Sequence, residues 1–421
     1  MGTISEIATT LICKPGLRFM PFAGALFIVV TLAVQHAAAN PSGEEGTVRF
    51  FVDADSSFDP WTRNPSAKQQ AFMRENYFRM QTYSSYFDKR LSWYPNAWAY
   101  KNSYAIKPGW PVFREHPEWV LRDASGSMLY IPYACAEGTC PQYAADIGNP
   151  DFRAWWIAGA RSKLELGYKG FWVDDVNLLW RVSNGDGEIV KPMDPRTGQQ
   201  MTLEVWRRYF VEFLEELRDA LPDAEIAHNF VWFAEPPDDA YILRSIDAAD
   251  YIALQRGITD RGIRGGSGRF GFETFLSLVD RVHAMGKHVI MKDDDDDSVA
   301  DRDYELAFYF LINNGGDLIA ADGDRDRMNP NNFWSGYQID LGAAMGERYR
   351  WRGLFRRDFE CGLVLVNQPD REPVSVSLGE TLIKLDGRSI SAAVIGAGRG
   401  EVLTRPCQSV SPRTASSPRR N

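Results

Sequence analysis

Short apolar runs alternate with stretches of helical period along most of the chain. Eight runs read as strands: Val48–Asp53, Ala97–Ala105, Gln142–Ile147, Lys169–Asp174, Glu225–Asn229, Ala249–Leu254, Lys287–Met291 and Asp317–Ala321. Between them lie segments with apolar positions three and four residues apart. The clearest is Thr202–Ala220, where Leu203, Trp206, Phe210, Phe213, Leu214 and Leu217 fall on one helix face. Strands separated by helices pair in parallel, so the pattern predicts an α/β chain closed as a (β/α)8 TIM barrel over residues 40–352. A doubly wound open sheet is the alternative, but it expects fewer strands and a phosphate-binding turn near the start.

After Trp351 the texture changes to short strands between Gly and Asp turns: Phe359–Asn367, Pro373–Leu378, Ile383–Leu385 and Glu401–Thr404. A small antiparallel β domain is expected over residues 353–407. The Ser/Pro/Arg-rich remainder, 408–421, reads as a disordered tail. At the other end, Lys14 and Arg18 precede an apolar run from Phe19 to Val34 that closes on Ala37-Ala38-Ala39. This reads as a secretory signal over residues 1–39, the alternative being an uncleaved membrane anchor. The expected location is extracellular or periplasmic, with no membrane attachment after cleavage.

Cleavage would leave Cys135, Cys140, Cys361 and Cys407, an even number suited to an oxidising compartment. Pairing Cys135 with Cys140 and Cys361 with Cys407 is expected. A zinc site competes, but the first two lack CxxC spacing and no His pair lies near. The chain has 421 residues and a net charge of −9, which argues against a nucleic-acid partner. It carries 13 Trp, 17 Tyr and 24 Phe, rings that can line a cleft for a neutral polar ligand such as a sugar.

Catalytic groups of a TIM barrel sit at the C-terminal ends of its strands. The expected strand ends carry Asp53 and Asp55; Tyr100 and Lys101; Asp146 and Asn149; Asp174, Asp175 and Asn177; His228, Asn229 and, in the following loop, Glu235; Gln255 and Arg256; Lys292 and Asp293; and Asp322. Helix capping accounts for some of them. Acids after so many strands also suit glycosidic cleavage, which needs one carboxyl to protonate the leaving oxygen and another to attack or stabilise the anomeric carbon. Asp174 is the expected nucleophile. Neighbouring strand residues face opposite ways, so Asp175 can share its target only through a bend; otherwise it caps a turn.

Asp146-Ile147-Gly148-Asn149-Pro150, the run Gly167–Asn177, Ala249-Asp250-Tyr251, Val282–Lys287 and Arg356–Asn367 occur in an order that resembles the putative TIM-barrel glycoside hydrolases. More closely, they are similar to hypothetical glycoside hydrolase family fifteen, over roughly residues 48–406. The resemblance implies a (β/α)8 catalytic domain, a C-terminal β-sandwich and a catalytic Asp on the fourth strand, which maps onto Asp174. Related groups place a second acid after the sixth strand, where this chain has Gln255, an amide that cannot act as a general acid. Glu235 or Asp293 then supplies the acid, or the protein binds glycan without cutting it.

Other motifs point less sharply. Gly266-Ser267-Gly268-Arg269-Phe270-Gly271 matches GxGxxG but lies too far past its strand for a dinucleotide site, and reads as a flexible active-site loop. Asp293–Asp297 is a solvated acidic run or a calcium site. No HExxH or GxSxG is present. Trp98, Tyr100, Trp172, Trp180, Trp232 and Trp334 fall near strand ends.

The expectation is a secreted, cofactor-free, monomeric glycoside hydrolase acting on an oligo- or polysaccharide. Asp174 and Glu235 would be catalytic. Asp53, Tyr100, Asp146, Trp172, Asp175, Asn229, Gln255 and Asp293 would hold substrate, and no metal is assigned. Carbohydrate binding on a degenerate barrel is the alternative.

Overall fold

The computed structural model describes residues 44–54, 56–229, 236, 238–293, 298–321 and 328–407. Eight parallel strands close a barrel: β1 (Phe50–Ala54), β2 (Tyr77–Thr82), β3 (Ala97–Asn102), β4 (Gly170–Asp174), β5 (Glu225–Asn229), β6 (Tyr251–Gln255), β7 (His288–Asp293) and β8 (Leu318–Ala321). β1 pairs with both β2 and β8, so the sheet has no free edge.

Seven of the eight expected strands join the barrel. The eighth, Gln142–Ile147, does not: only Tyr143–Ala144 is extended, in a two-stranded ribbon with Ala105–Ile106 inside the long β3-to-β4 connection. Its place is taken by Tyr77–Thr82. That strand escapes an apolar-run search because Arg79 and Gln81 interrupt it, and it follows a helix without a Gly or Pro break.

Helices cover the barrel: α1 (Ala67–Asn76), α2 (Pro150–Glu165), α3 (Leu203–Ala220), α4 (Ala240–Asp247), α5 (Phe272–Ala284) and α6 (Val299–Ile312). α3 starts where expected, with the Thr202 hydroxyl accepting from Val205 N, and buries Trp206, Phe210, Phe213, Leu214 and Leu217. Asn149 caps α2 by accepting from Asp151 N and Phe152 N. Inside the barrel, Phe51, Trp98, Trp172, Ala227, Tyr251, Ala253, Ile290, Leu318 and Ala320 form a closed apolar layer. Below it the guanidinium of Arg79 grips the Glu225 carboxylate, with Nε–Oε2 at 2.6 Å, and Trp98 Nε1 donates to Oε2 at 2.7 Å. The barrel is therefore filled, and chemistry is confined to its C-terminal end.

The C-terminal region is one six-stranded antiparallel sheet: β9 (Tyr349–Trp351), β10 (Leu354–Phe359), β11 (Gly362–Asn367), β12 (Val374–Lys384), β13 (Ser389–Ile395) and β14 (Arg399–Thr404), in the order β9-β10-β11-β14-β12-β13. It begins slightly before residue 353 and includes Ser389–Ile395, which the apolar pattern did not single out. Leu363, Leu365, Leu382 and Leu403 build a separate core on one face. Phe355, Phe359, Val364 and Val402 on the other join the main core. Arg357 ties the sheet to α6 by donating to the Phe310 and Asn313 carbonyls at 3.1 and 2.7 Å. Gly400 permits the close approach: a Cβ there would sit 2.7 Å from Ala307 Cβ.

Cys135–Cys140 and Cys361–Cys407 are both bonded. No helix among the described residues is long and apolar enough to cross a membrane. The expected leader and the 408–421 tail lie outside the described residues.

Candidate active site

Alternate strand residues face the barrel axis. One step above the apolar layer, the same faces present Asp53 (β1), Gln81 (β2), Tyr100 (β3), Asp174 (β4), Asn229 (β5), Gln255 (β6) and Lys292 (β7). Seven strands thus contribute a polar ring on an apolar floor.

Asp174 is the best-held member. Tyr100 Oη donates to its Oδ2 at 2.6 Å; Asn229 Nδ2 and the Asp175 backbone N–H donate to Oδ1, each at 2.8 Å. Burial first, and then the Asp174 charge, push the Tyr100 phenol up, so it stays protonated and able to donate. Asn229 is oriented by its own contacts. Its Oδ1 accepts from Val176 N at 3.3 Å, leaving the amide hydrogens for Asp174 and, at 3.0 Å, for Gln255 Oε1. A backbone N–H can only donate, so Gln255 must show its oxygen to Asn229 and turn its own NH2 elsewhere. Across the ring, Asp53 accepts from Gln81 Nε2 at 3.1 Å and pairs with Lys292 Nζ at 3.5 Å.

The bend that Asp175 required is present. Its φ of +58° is left-handed, uncommon for a non-glycine residue, and breaks the strand alternation. Its carboxylate accepts from Asn102 Nδ2 at 2.6 Å and pairs with Arg181 Nε at 3.1 Å. Burial is the largest influence and the Asp174 charge the next; together they outweigh Arg181 and Asn102 and push its carboxyl up to about 6. The two adjacent acids therefore occupy different environments: Asp174 accepts from three donors, whereas Asp175 is buried beside the Asp174 charge.

A family profile described as hypothetical glycosyl hydrolase family 15 matches residues 79–363, the span that carries this ring from Gln81 to Lys292. The chain belongs to that family. In this family member, the matched span runs from the second barrel strand into the C-terminal sheet.

The chain is similar to the glycoside hydrolase domain of PelA from Pseudomonas aeruginosa, at 14% identity over 65% of this chain and 94% of that one, with a TM-score of 0.39. It is similar to the noncanonic maltogenic α-amylase AmyB from Thermotoga neapolitana, at 11% identity, 86% and 98% coverage and a TM-score of 0.47. It is also similar to an Anoxybacillus α-amylase, at 11% identity, 87% and 99% coverage and a TM-score of 0.46. Among curated proteins none matches.

Several candidate residues of this family member stand elsewhere. Trp172 is 1% exposed and stacks on Phe51 with centroids 5.3 Å apart; it is barrel floor, not a sugar platform. Trp98 is equally buried. Asp146 is not on a barrel strand. Its two oxygens bind Arg196 at 3.0 and 2.8 Å and one also accepts from Gly148 N, which fixes the turn into α2. His228 alternates outward, 2.9 Å from the Ser245 carbonyl, and burial lowers its pKa so that the ring is neutral. The GxGxxG segment is no loose loop. Gly266 N donates to Gln368 Oε1 at 2.6 Å, and Arg264 exchanges backbone bonds with Phe270 and Phe272.

Glu235, Trp232, Asp55, Asp294–Asp297 and Asp322 lie outside the described residues. Asp293 ends β7, but its side chain is outside them too. Gln81 and Tyr83 belong to β2 and the residue after it, a strand with no apolar run to mark its end in the sequence. Tyr83 is 44% exposed and its ring lies 4.9 Å from that of Tyr100. Among the described residues no three His, Cys, Asp or Glu side chains converge as a metal site would require.

Proposed function

We propose that this chain is a secreted glycoside hydrolase that cleaves O-glycosidic bonds of an oligo- or polysaccharide, with Asp174 as its nucleophilic carboxylate. The observation that carries the reading is Asp174 at the mouth of a filled barrel, held by three donors from β3, β5 and its own turn. Preorganised donors around a reacting carboxylate are what displacement at an anomeric carbon uses.

Protonation of the leaving oxygen needs a second carboxyl. Glu235 is assigned that role by its place after β5. Asp175 is the described carboxyl suited to it, because it retains its proton up to about pH 6. Asp53, Tyr100, Asn229, Gln255 and Asp293 are proposed to contact hydroxyls, and Tyr83 to offer an exposed ring to a sugar face. The two disulfides favour an oxidising compartment. A monomer is proposed.

Gln255 supports a second reading, carbohydrate binding without cleavage, since an amide stands at the end of β6 and its oxygen is committed to Asn229. Incubating the protein with a broad glycan panel separates the two. New reducing ends support hydrolysis; saturable binding with no product from any glycan supports the binding module.

A further inference from the structure

Beside the mouth, a concavity of about 750 Å³ opens where the loop after β6 meets the turns of the C-terminal sheet. That volume falls in the range of small-ligand sites. The space begins one residue from the polar ring. Gln255 bonds to Asn229 inside the mouth, while Arg256, with a left-handed φ of +67°, turns the chain outward and lines the concavity.

Four arginines line it: Arg256, Arg261, Arg264 and Arg399. A fifth, Arg371, lays its guanidinium beside Gly265 and Gly266. Three aspartates, Asp260, Asp301 and Asp370, share the lining, and two of them have partners. Asp301 pairs with Arg399 at 2.7 Å, and Asp260 accepts from Gly262 N at 2.7 Å. The guanidinium of Arg261 has no partner among the described residues, and that of Arg264 reaches only the Arg261 carbonyl, at 3.2 Å. In a chain with a net charge of −9, this gathers positive charge around a concave space.

The segment that carries Arg261 and Arg264 is fixed in place, since Gly266 N is bonded to Gln368 and the Arg264 backbone to Phe270 and Phe272.

We propose that this concavity is a subsite for an anionic sugar unit, a uronate carboxylate or a sulfate ester, so that the preferred substrate is an acidic glycan. The proposal rests on the reading that the barrel mouth acts on saccharide. Guanidinium forks match both anions bidentately, and the two differ in what else they carry. Occupancy of the concavity would set which bond of a longer chain lies over Asp174.

The test is calorimetric titration of the full chain with oligogalacturonate, sulfated dextran oligomers and neutral dextran oligomers of matched length. Wild type, R261A/R264A and D174N are compared. Wild type is expected to bind one of the anionic oligomers at least about tenfold more tightly than the neutral one, and the anion that binds identifies the source. R261A/R264A is expected to lose about tenfold per arginine, on the scale of one charge-assisted hydrogen bond. Both side chains are exposed, so the fold should survive, and an unchanged melting curve checks this.

Equal affinity for all three oligomers overturns the proposal, as does wild-type affinity in R261A/R264A. Anionic binding retained in D174N with hydrolysis lost supports both the subsite and the hydrolase reading. Anionic binding without turnover of any glycan leaves the subsite and removes the hydrolase. Turnover of neutral glycans with no anionic preference does the reverse.

Discussion

Asp175 should make the stability of this protein fall as pH rises from about 4 to about 6. Its side chain is 11% exposed, and burial, then the neighbouring Asp174, raise its carboxyl from an ordinary 3.8 to about 6. Between those values the folded state holds a proton that the unfolded state has lost. The contribution is fully present below pH 3.8 and lost as pH rises through 6. At 1.36 kcal/mol for each pH interval, the loss amounts to roughly 3 kcal/mol by pH 7. Asp175→Asn cannot ionise and escapes it. Any constant offset from the altered Arg181 contact cancels when the variant is compared with wild type across pH. Urea unfolding at pH 4, 5, 6 and 7, with disulfides intact, should show the stability of D175N relative to wild type rising by about 3 kcal/mol, most of it between pH 4 and 6. Parallel curves would refute the reasoning. If Asp175 is also the proton donor, glycan hydrolysis should decline above about pH 6.

Asn229→Ala removes the donor shared by Asp174 and Gln255, so kcat should fall on the order of tenfold or more, with near-UV circular dichroism preserved; unchanged kcat would contradict its positioning role. Trp172→Ala should cost about 3–5 kcal/mol of unfolding free energy, as a truncated core ring does. Tyr83→Ala should shift stability by no more than about 0.5 kcal/mol while raising KM. Removing Cys361–Cys407, which closes a separation of 46 residues, should cost about 4 kcal/mol, against about 2 for Cys135–Cys140 with its separation of 5; urea midpoints of the paired Ser variants check that order.

The barrel was legible because seven of its strands are apolar runs between helices, and Asp174 because it ends one of them. β2 was hidden by its own inward face, where Arg79 and Gln81 meet Glu225 and Asp53, so hydrophobicity does not mark it. With β2 went Tyr83. The ribbon strand Tyr143–Ala144 misled for the converse reason: it is extended and partly apolar but pairs outside the barrel. Alternation could have corrected Trp172, since it shares a face with Asp174 one layer deeper. It could not have placed Asp175, whose direction follows from a single left-handed residue. Nor could spacing show that Asp146 is held by Arg196, fifty residues away.

Asp174 is proposed to perform the chemistry. The measurement that tests it most directly is release of reducing ends from neutral and acidic glycans by wild type and by Asp174→Asn, with folding and glycan binding checked on the same samples. Turnover of at least one glycan by wild type and a loss of about 10²–10⁴ in D174N, with binding retained, are expected. Hydrolysis by D174N at the wild-type rate would contradict the proposal.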